Sequence, residues 1–231
     1  MATILKRDRY YDFVMAAFVG ILLLSNLIGA AKIANLGGYA FGAGVLFFPI
    51  SYVLGDVLTE VYGYAKARRC VWAGFVALGF MSIMSLVVVG LPADPSWHDQ
   101  PAYEAVFGQT PRIVIASMLA FWAGELVNAY VLARMKVWTN GRHLWSRTIG
   151  STIIGQGVDS LVFYPIAFLA VWDSSALVSV MWHNFILKVG WEALLTPVTY
   201  RVVAMLKKAE GEDHFDTDTD FTPFSTRIGD Q

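Results

Sequence analysis

Residues 47–64 read FFPISYVLGDVLTEVYGY and carry the strongest signal in the sequence. The stretch is apolar enough to cross a bilayer except for Asp56 and Glu60, which lie four residues apart and therefore share one face of a helix. An ionisable side chain near the bilayer centre costs about 2.5 to 3.5 kcal/mol on insertion scales, so that face is expected to turn toward protein or a water-filled cavity. The stretch therefore predicts a membrane helix that lines a transport path.

The composition places the whole chain in the same class. Of its 231 residues, 56% are hydrophobic and 15% are charged, which is typical of an integral membrane protein. The one cysteine, Cys70, cannot form an internal disulfide, and the sequence has no cluster of Cys and His with metal-ligand spacing. We therefore expect no metal, no cofactor and no redox chemistry.

Hydrophobic runs of spanning length predict an all-α fold with six transmembrane helices, over residues 11–31, 45–64, 71–91, 111–135, 148–172 and 176–206. Pro49 near the start of the second helix predicts a kinked or broken entry to it. Residues 1–208 would form a single transport domain. The acidic tail, residues 209–231, is poor in apolar residues and is expected to be disordered.

Basic residues give the orientation. They concentrate at 6–9, 66–69, 134–147 and 201–208, which all fall on one side of a six-helix arrangement. The positive-inside rule places that side, with both termini, in the cytoplasm.

Counting residues along each helix at about 1.5 Å per residue estimates the depth of the charged side chains. One group lies near the bilayer centre: Asp56, Glu125, Asp159 and Lys188. Glu60 and Glu192 lie about 6 to 9 Å nearer the cytoplasm. A shared central chamber explains the pattern, because five acids cannot all be neutralised by one lysine. The others must be protonated, hydrated, paired with an arginine such as Arg68, or available to a ligand. For Glu125 alone, a simple packing ion pair with a neighbouring lysine remains open.

The predicted chamber suits a planar heterocycle that has both hydrogen-bond donors and acceptors. A carboxylate can accept two hydrogen bonds from the N1–H and exocyclic amine of a guanine-like edge, and a lysine or amide can donate to the ring carbonyl. Phe48 and Tyr52, close in sequence to the carboxylates, are candidates for stacking on the ring. The residues permit this ligand class without establishing it.

The motif around the second helix resembles the queuosine precursor transporter family, whose members are also called putative vitamin uptake transporters. The resemblance rests on Phe48-Pro49-Ile50-Ser51-Tyr52, Gly55-Asp56 and the stretch 59–64 with Ala67-Arg68. Other residues are similar to the family in order and spacing: Ser25-Asn26, Lys32, Asp159-Ser160, Lys188, Glu192 and Pro197. The resemblance implies six helices in a bacterial inner membrane and uptake of 7-deazaguanine precursors such as preQ0, preQ1 or queuine.

We therefore interpret the chain as a secondary transporter and not an enzyme. The predicted substrate-binding residues are Asn26, Glu60, Gln156, Asp159 and Lys188, with Tyr52 and Phe48 as aromatic contacts. The predicted proton-coupling or gating residues are Asp56, Glu125, Glu192 and Arg68. Beyond the substrate and the bilayer we expect no nucleic-acid partner, and a homodimer remains open.

Two alternative functions remain at this point. The size also fits the vitamin-binding subunit of an energy-coupling transporter, a class of subunit that relies on separate ATPase partners. This chain has no nucleotide-binding G-x-x-x-x-G-K-[ST] motif of its own. Paired acids could also serve an intramembrane enzyme. Against that alternative, the sequence has neither H-E-x-x-H nor G-x-S-x-G.

Overall fold

The structure is a computed structural model and describes residues 8–29, 33–36, 39–42, 47–108, 111–170 and 173–225. Its elements follow in chain order: α1 Tyr11–Gly29, β1 Ile33–Leu36, β2 Tyr39–Gly42, α2 Phe48–Tyr62, α3 Tyr64–Val89, α4 Gln100–Phe107, α5 Pro111–Trp138, α6 Leu144–Phe168 and α7 Ser174–Glu210. The predicted helical architecture is confirmed, with six long helices and one short helix, α4. The exception is an antiparallel hairpin in which β1 pairs with β2, in a region where the sequence indicated only a glycine-rich connection.

Three segments of the described chain are long and apolar enough to cross a membrane, judged by length and composition: Tyr11–Ile28, Tyr64–Val89 and Gln100–Trp138. They correspond to α1, α3 and α5 with the short α4 before it. The remaining long helices do not meet these criteria of length and composition, for physical reasons. α2 has 15 residues and is only about 22 Å long, whereas α6 and α7 carry ionisable residues along their length.

Pro49 lies in the first turn of α2, where its missing N–H breaks no helical hydrogen bond. The kinked or broken entry predicted near Pro49 stays a prediction, because residues 43–46, which lead into α2, lie outside the described residues. At the other end of α2, Gly63 has φ of 83° and separates α2 from α3. α3 therefore begins at Tyr64, seven residues before the predicted start. As a result Arg68 and its basic neighbours belong to the helix instead of a loop.

Helices α5 and α6 approach each other closely at two glycines. A Cβ atom on Gly155 would lie 2.7 Å from the Cβ of Asn128 and 3.0 Å from the carbonyl oxygen of Gly124. Small residues at such a crossing let two backbones pack without side chains between them. The close approach fixes Asn128 and Asp159, which lie beside these glycines and belong to the candidate site.

The acidic tail differs from its prediction. Residues 211–225 run back over the ends of α2, α3 and α5, and backbone carbonyls of this segment accept hydrogen bonds from helix side chains. Tyr64 Oη donates to Phe221 O at 3.1 Å, and Trp72 Nε1 donates to Pro223 O at 2.9 Å. The low apolar content that predicted disorder is offset by these polar contacts and by the packing of Phe221 and Phe224 on aromatic side chains.

Both ends of the described chain lie on the same side of the bundle. The carboxylate of Glu210, at the end of α7, accepts hydrogen bonds from the backbone N–H groups of Arg9 and Tyr10, each at 2.8 Å. It also accepts a hydrogen bond from Tyr62 Oη at 2.9 Å. A single carboxylate thus joins the start of α1, the end of α2 and the end of α7.

Candidate functional site

An ion pair between α6 and α7 forms the centre of the candidate site. Lys188 Nζ lies 2.5 Å from Asp159 Oδ2, and the two side chains remain 20% and 18% exposed. The ammonium group also lies 6.0 Å from the centre of the Tyr52 ring on α2. Helical spacing positions both charges on inward faces of their helices. They are more exposed than four buried acids of the membrane helices, which are at most 5% exposed: Asp56, Glu60, Glu125 and Glu192. The pair is therefore within reach of a small molecule.

A second polar pair lies beside the first. Asn184 Nδ2 donates to Tyr164 Oη at 2.6 Å, and Asn184 precedes Lys188 by one helical turn on α7. Tyr164 is within electrostatic range of both Asp159 and Lys188. Tyr164 was not among the site residues predicted from the sequence. The available signal was its position one turn after Ser160 on the polar face of α6.

Three carboxyl groups are buried next to this pair, on α2, α5 and α7. Asp56 has no exposed surface, and its Oδ1 accepts a hydrogen bond from Asn128 Nδ2 at 2.8 Å. Among the described residues, Asp56 Oδ2 and both carboxylate oxygens of Glu192 have no hydrogen-bond partner. Glu125 reaches the backbone of α2 because residue 55 is glycine: a Cβ there would lie 2.9 Å from Glu125 Oε2.

The buried carboxyl groups and the ion pair form one electrostatic unit. Asp56 interacts with Glu192 and Glu125, and Glu125 in turn interacts with Asp159 and Lys188. Burying an ionised carboxylate without a donor or counter-ion costs several kcal/mol. The buried carboxyl groups are therefore suited to gain or lose a proton when a ligand enters or leaves.

Glu60 belongs to a different cluster. Its Oε2 accepts from Arg147 Nε at 2.9 Å, and its Oε1 accepts from Arg147 Nη2 at 2.8 Å and from Lys207 Nζ at 2.6 Å. Lys136 Nζ lies 3.6 Å from the same Oε1 and donates to the Glu60 carbonyl oxygen at 2.7 Å. We call Glu60, Lys136, Arg147 and Lys207 the ion cluster. Its cations hold both Glu60 oxygens. The substrate-binding prediction required Glu60 to be available beside Asp159, and the structure does not place it there.

The other predicted site residues are distributed as follows. Arg68 Nη1 donates to the carbonyl oxygens of Asp220 and Thr222, each at 2.7 Å, so it binds the tail. Asn26 Nδ2 donates to Leu22 O at 2.8 Å and lines a separate cavity of about 50 Å³ between α1, α3 and α5. Neither residue therefore joins the Asp159–Lys188 pair in this structure.

Of the last two predicted contacts, Gln156 lies on α6, which carries Asp159, and Phe48 lies on α2, which carries Tyr52. Gln156 is 5% exposed on α6, and its Oε1 has no partner among the described residues. Phe48 opens α2 one turn before Tyr52, on the same face. Within the part of the chain that the structure describes, no group of three or more His, Cys, Asp or Glu side chains could hold a metal ion.

Comparison with known proteins gives the family. The family described as "Putative vitamin uptake transporter" matches residues 42–202, which is more than half of the chain. The chain belongs to this family. The resemblance found in α2 and α7 is thereby confirmed.

Curated relatives carry a more specific name. "Probable queuosine precursor transporter" of Bacillus subtilis (strain 168) is 28% identical over 195 residues, which cover 84% of this chain and 85% of the relative. "Queuosine precursor transporter" of Escherichia coli (strain K12) is 27% identical over 150 residues, or 64% of each chain. "Probable queuosine precursor transporter" of Haemophilus influenzae (strain ATCC 51907 / DSM 11121 / KW20 / Rd) is 27% identical over 166 residues, which cover 69% of this chain and 67% of the relative. No solved structure matches the chain.

Proposed function

We propose that this protein imports queuosine precursors, 7-deazaguanines such as preQ0, preQ1 or queuine, across a bacterial inner membrane. The observation that carries the proposal is the partly exposed Asp159–Lys188 pair, with Tyr52 and Tyr164 beside it. The names of the curated relatives support the substrate class. They also favour a carrier over an enzyme.

The chemistry of the pair fits the edge of a 7-deazaguanine. Asp159 can accept hydrogen bonds from the ring N1–H and the exocyclic amine, while Lys188 can donate to the ring carbonyl. Asn184 can exchange its bond to Tyr164 for one to the ligand, and the Tyr52 ring offers a flat surface for stacking. A ligand that lacks these groups would leave the charged pair unsatisfied and would bind more weakly.

The buried carboxyl groups suggest how transport could be driven. Among the described residues, Asn128 donates a hydrogen bond to Asp56 Oδ1, whereas Asp56 Oδ2 and both carboxylate oxygens of Glu192 have no hydrogen-bond partner. We propose that at least one of Asp56, Glu125 and Glu192 carries a proton that moves with the substrate, as acids within membrane transporters commonly do. The chain would then act as a secondary transporter.

Replacement of Asp159 tests the substrate site. We expect Asp159→Asn to reduce uptake of labelled preQ1 into proteoliposomes by at least about tenfold, because one charged hydrogen-bond acceptor is lost and Lys188 is left without its counter-ion. Asp12→Asn removes the same charge from an exposed position in the first turn of α1 and should leave uptake unchanged. Full uptake by Asp159→Asn would refute the assignment. Uptake that does not change when the proton gradient is collapsed would leave the substrate site intact but replace proton coupling with facilitated diffusion.

A further inference from the structure

The tail, residues 211–225, is attached to the bundle through residues that the transport mechanism does not use. Asp216 accepts hydrogen bonds from the backbone N–H of Tyr64, with both carboxylate oxygens at 3.1 Å. The rings of Phe221 and Phe224 pack against aromatic side chains of α3 and α5. The attachment is thus built from several independent contacts along the tail.

The tail also reduces the excess positive charge of the ion cluster. Within the cluster three cations, Lys136, Arg147 and Lys207, surround the single carboxylate of Glu60. Asp213 of the tail supplies the second carboxylate: its Oδ1 lies 2.6 Å from Lys136 Nζ and 2.7 Å from Lys207 Nζ. The His214 carbonyl oxygen accepts a further hydrogen bond from Lys136 at 2.5 Å.

Lys136 depends on the tail more than the other cations do. Its side chain is only 1% exposed with the tail in place, so in this arrangement its partners are protein groups and not water. A buried ammonium group is stable only when it is paired and hydrogen-bonded. Without the tail, Lys136 would lose Asp213, the His214 carbonyl and its cation–π contact with Phe215, and would retain only its contacts with Glu60.

The ion cluster lies between the buried carboxyl groups and the tail. Glu60 follows Asp56 by one turn on the same face of α2. On α7, one buried face runs from Glu192 through Thr196 and Thr199 to Val203, and Lys207 follows one turn later with its side chain 20% exposed. The order along both helices is therefore buried carboxyl groups, ion cluster, tail.

We propose that the tail is a strap that closes the chamber on the side of the two termini, and that Asp213 is the residue that fastens it. The inference rests on the proposed function only in that the chain is a transporter whose chamber must open on this side. Asp213 is the most exposed acid in contact with the cluster, at 46%. When the strap leaves, the three cations retain a single carboxylate, so the closed arrangement loses stability and the open one is favoured.

Cysteine accessibility can test the strap without any substrate. In a Cys70→Ala background, Thr196→Cys places one thiol at a position that is 7% exposed, between Glu192 and the ion cluster. Membrane vesicles with the tail on the outside would be treated with a membrane-impermeant maleimide. We expect Asp213→Asn to raise the labelling rate about three- to tenfold, since a partly exposed charged hydrogen-bond acceptor is lost.

The tail provides a matched control. Asp218→Asn removes the same charge, but the hydrogen bond found at Asp218 comes from its neighbour Thr217, so the labelling rate should stay at the parental value. Asp213→Glu keeps the charge and should restore slow labelling. Asp216→Asn, which releases the tail at α3 with the cluster intact, should also raise the rate. Equal rates for Asp213→Asn, Asp216→Asn and Asp218→Asn would overturn the strap, whereas a failure of preQ1 uptake would concern only the substrate assignment.

Discussion

Asp216 caps the N-terminus of α3, although it lies in the tail and not next to that helix in sequence. Gly63 precedes α3 and has no side chain to accept from the first N–H groups, which are left without helical partners. Both oxygens of Asp216 accept from the Tyr64 N–H instead. Burial alone would raise the pKa of Asp216, but hydrogen bonds from His214, Thr219 and the Tyr64 N–H outweigh it and hold the pKa below its usual 3.8.

This shift predicts how attachment of the tail depends on pH. Because the pKa of Asp216 is lower in the attached state, its contribution is fully present above the ordinary value of 3.8 and is lost as the pH falls through the lowered value. We therefore expect tight attachment at neutral pH and release below about pH 4. Amide hydrogen exchange of the tail in detergent micelles, corrected for the intrinsic rate, would measure this.

The control for the pH prediction is Asp216→Asn, which should weaken attachment at neutral pH and flatten the dependence on pH that Asp216 contributes. Asp213 has a pKa that is also lowered, because hydrogen bonds from Lys136 and Lys207 outweigh its burial, and it should act in the same direction. Tighter attachment in acid than at neutral pH would contradict the prediction.

Individual residues differ in how far the sequence could predict their surroundings. The pairing of Asp159 with Lys188 could be predicted, because counting residues along two apolar helices put both charges at the same depth in the membrane. The partners of Glu60 were not, because Arg147 and Lys207 follow it by 87 and 147 residues. Sequence periodicity fixes the face of a helix but not the helix that packs against it.

Among the helix contacts, the crossing of α5 and α6 has the largest effect on the geometry of the site. Gly124 and Gly155 let the two backbones meet, and a Cβ on Gly124 would lie 2.9 Å from the Cβ of Asp159. Any side chain added at this crossing would have to push apart the two helices that hold Asn128 and Asp159. The glycines therefore position the site although they do not touch a ligand.

Two glycine substitutions on α6 test this crossing. Gly155→Ala should lower stability by about 1 to 3 kcal/mol, because its Cβ would meet the Asn128 side chain and the backbone of α5. Gly157→Ala, two residues later, meets no atom within 4 Å and should be neutral or more stable by up to about 1 kcal/mol. The thermal midpoints in one detergent would compare them. Equal midpoints would show that the crossing tolerates a larger residue.

Helix boundaries show where local sequence signals were incomplete. α5 begins at Pro111 as predicted, because proline is favoured in the first turn of a helix. α3 begins at Tyr64 and not at residue 71, because Gly63 provides the positive φ that ends α2 and the helix then includes the basic residues. The charge run suggested a loop, whereas in the structure Arg68 is buried by the tail.

For the protein as a whole, the charge distribution and the position of the termini indicate the same orientation in the membrane. Glu210 joins the start of α1 to the end of α7, and the basic ion cluster lies at the same end of the bundle as the tail. The exposed apolar face of α3, with Val76, Phe80, Ile83 and Val87, suits lipid or the second copy of a homodimer. We propose that the end with the termini faces the cytoplasm.

Reporter fusions test this orientation. A reporter enzyme that is active only outside the cytoplasm should be inactive when fused after residue 225. It should be active when inserted between α3 and α4, because α3 has 26 residues and extends about 39 Å to the opposite end of the bundle. The reverse pattern of activities would require the opposite orientation.

The backbone N–H groups at the start of α1 and α3 obtain their acceptors from Glu210 and Asp216. In the sequence, Glu210 follows Tyr10 by 200 residues and Asp216 follows Tyr64 by 152 residues, so both acids are synthesised long after these helix starts. Both helix starts therefore obtain these acceptors only after α7 has been made, and a nascent chain that stops at the end of α7 leaves the Tyr64 N–H without the Asp216 carboxylate.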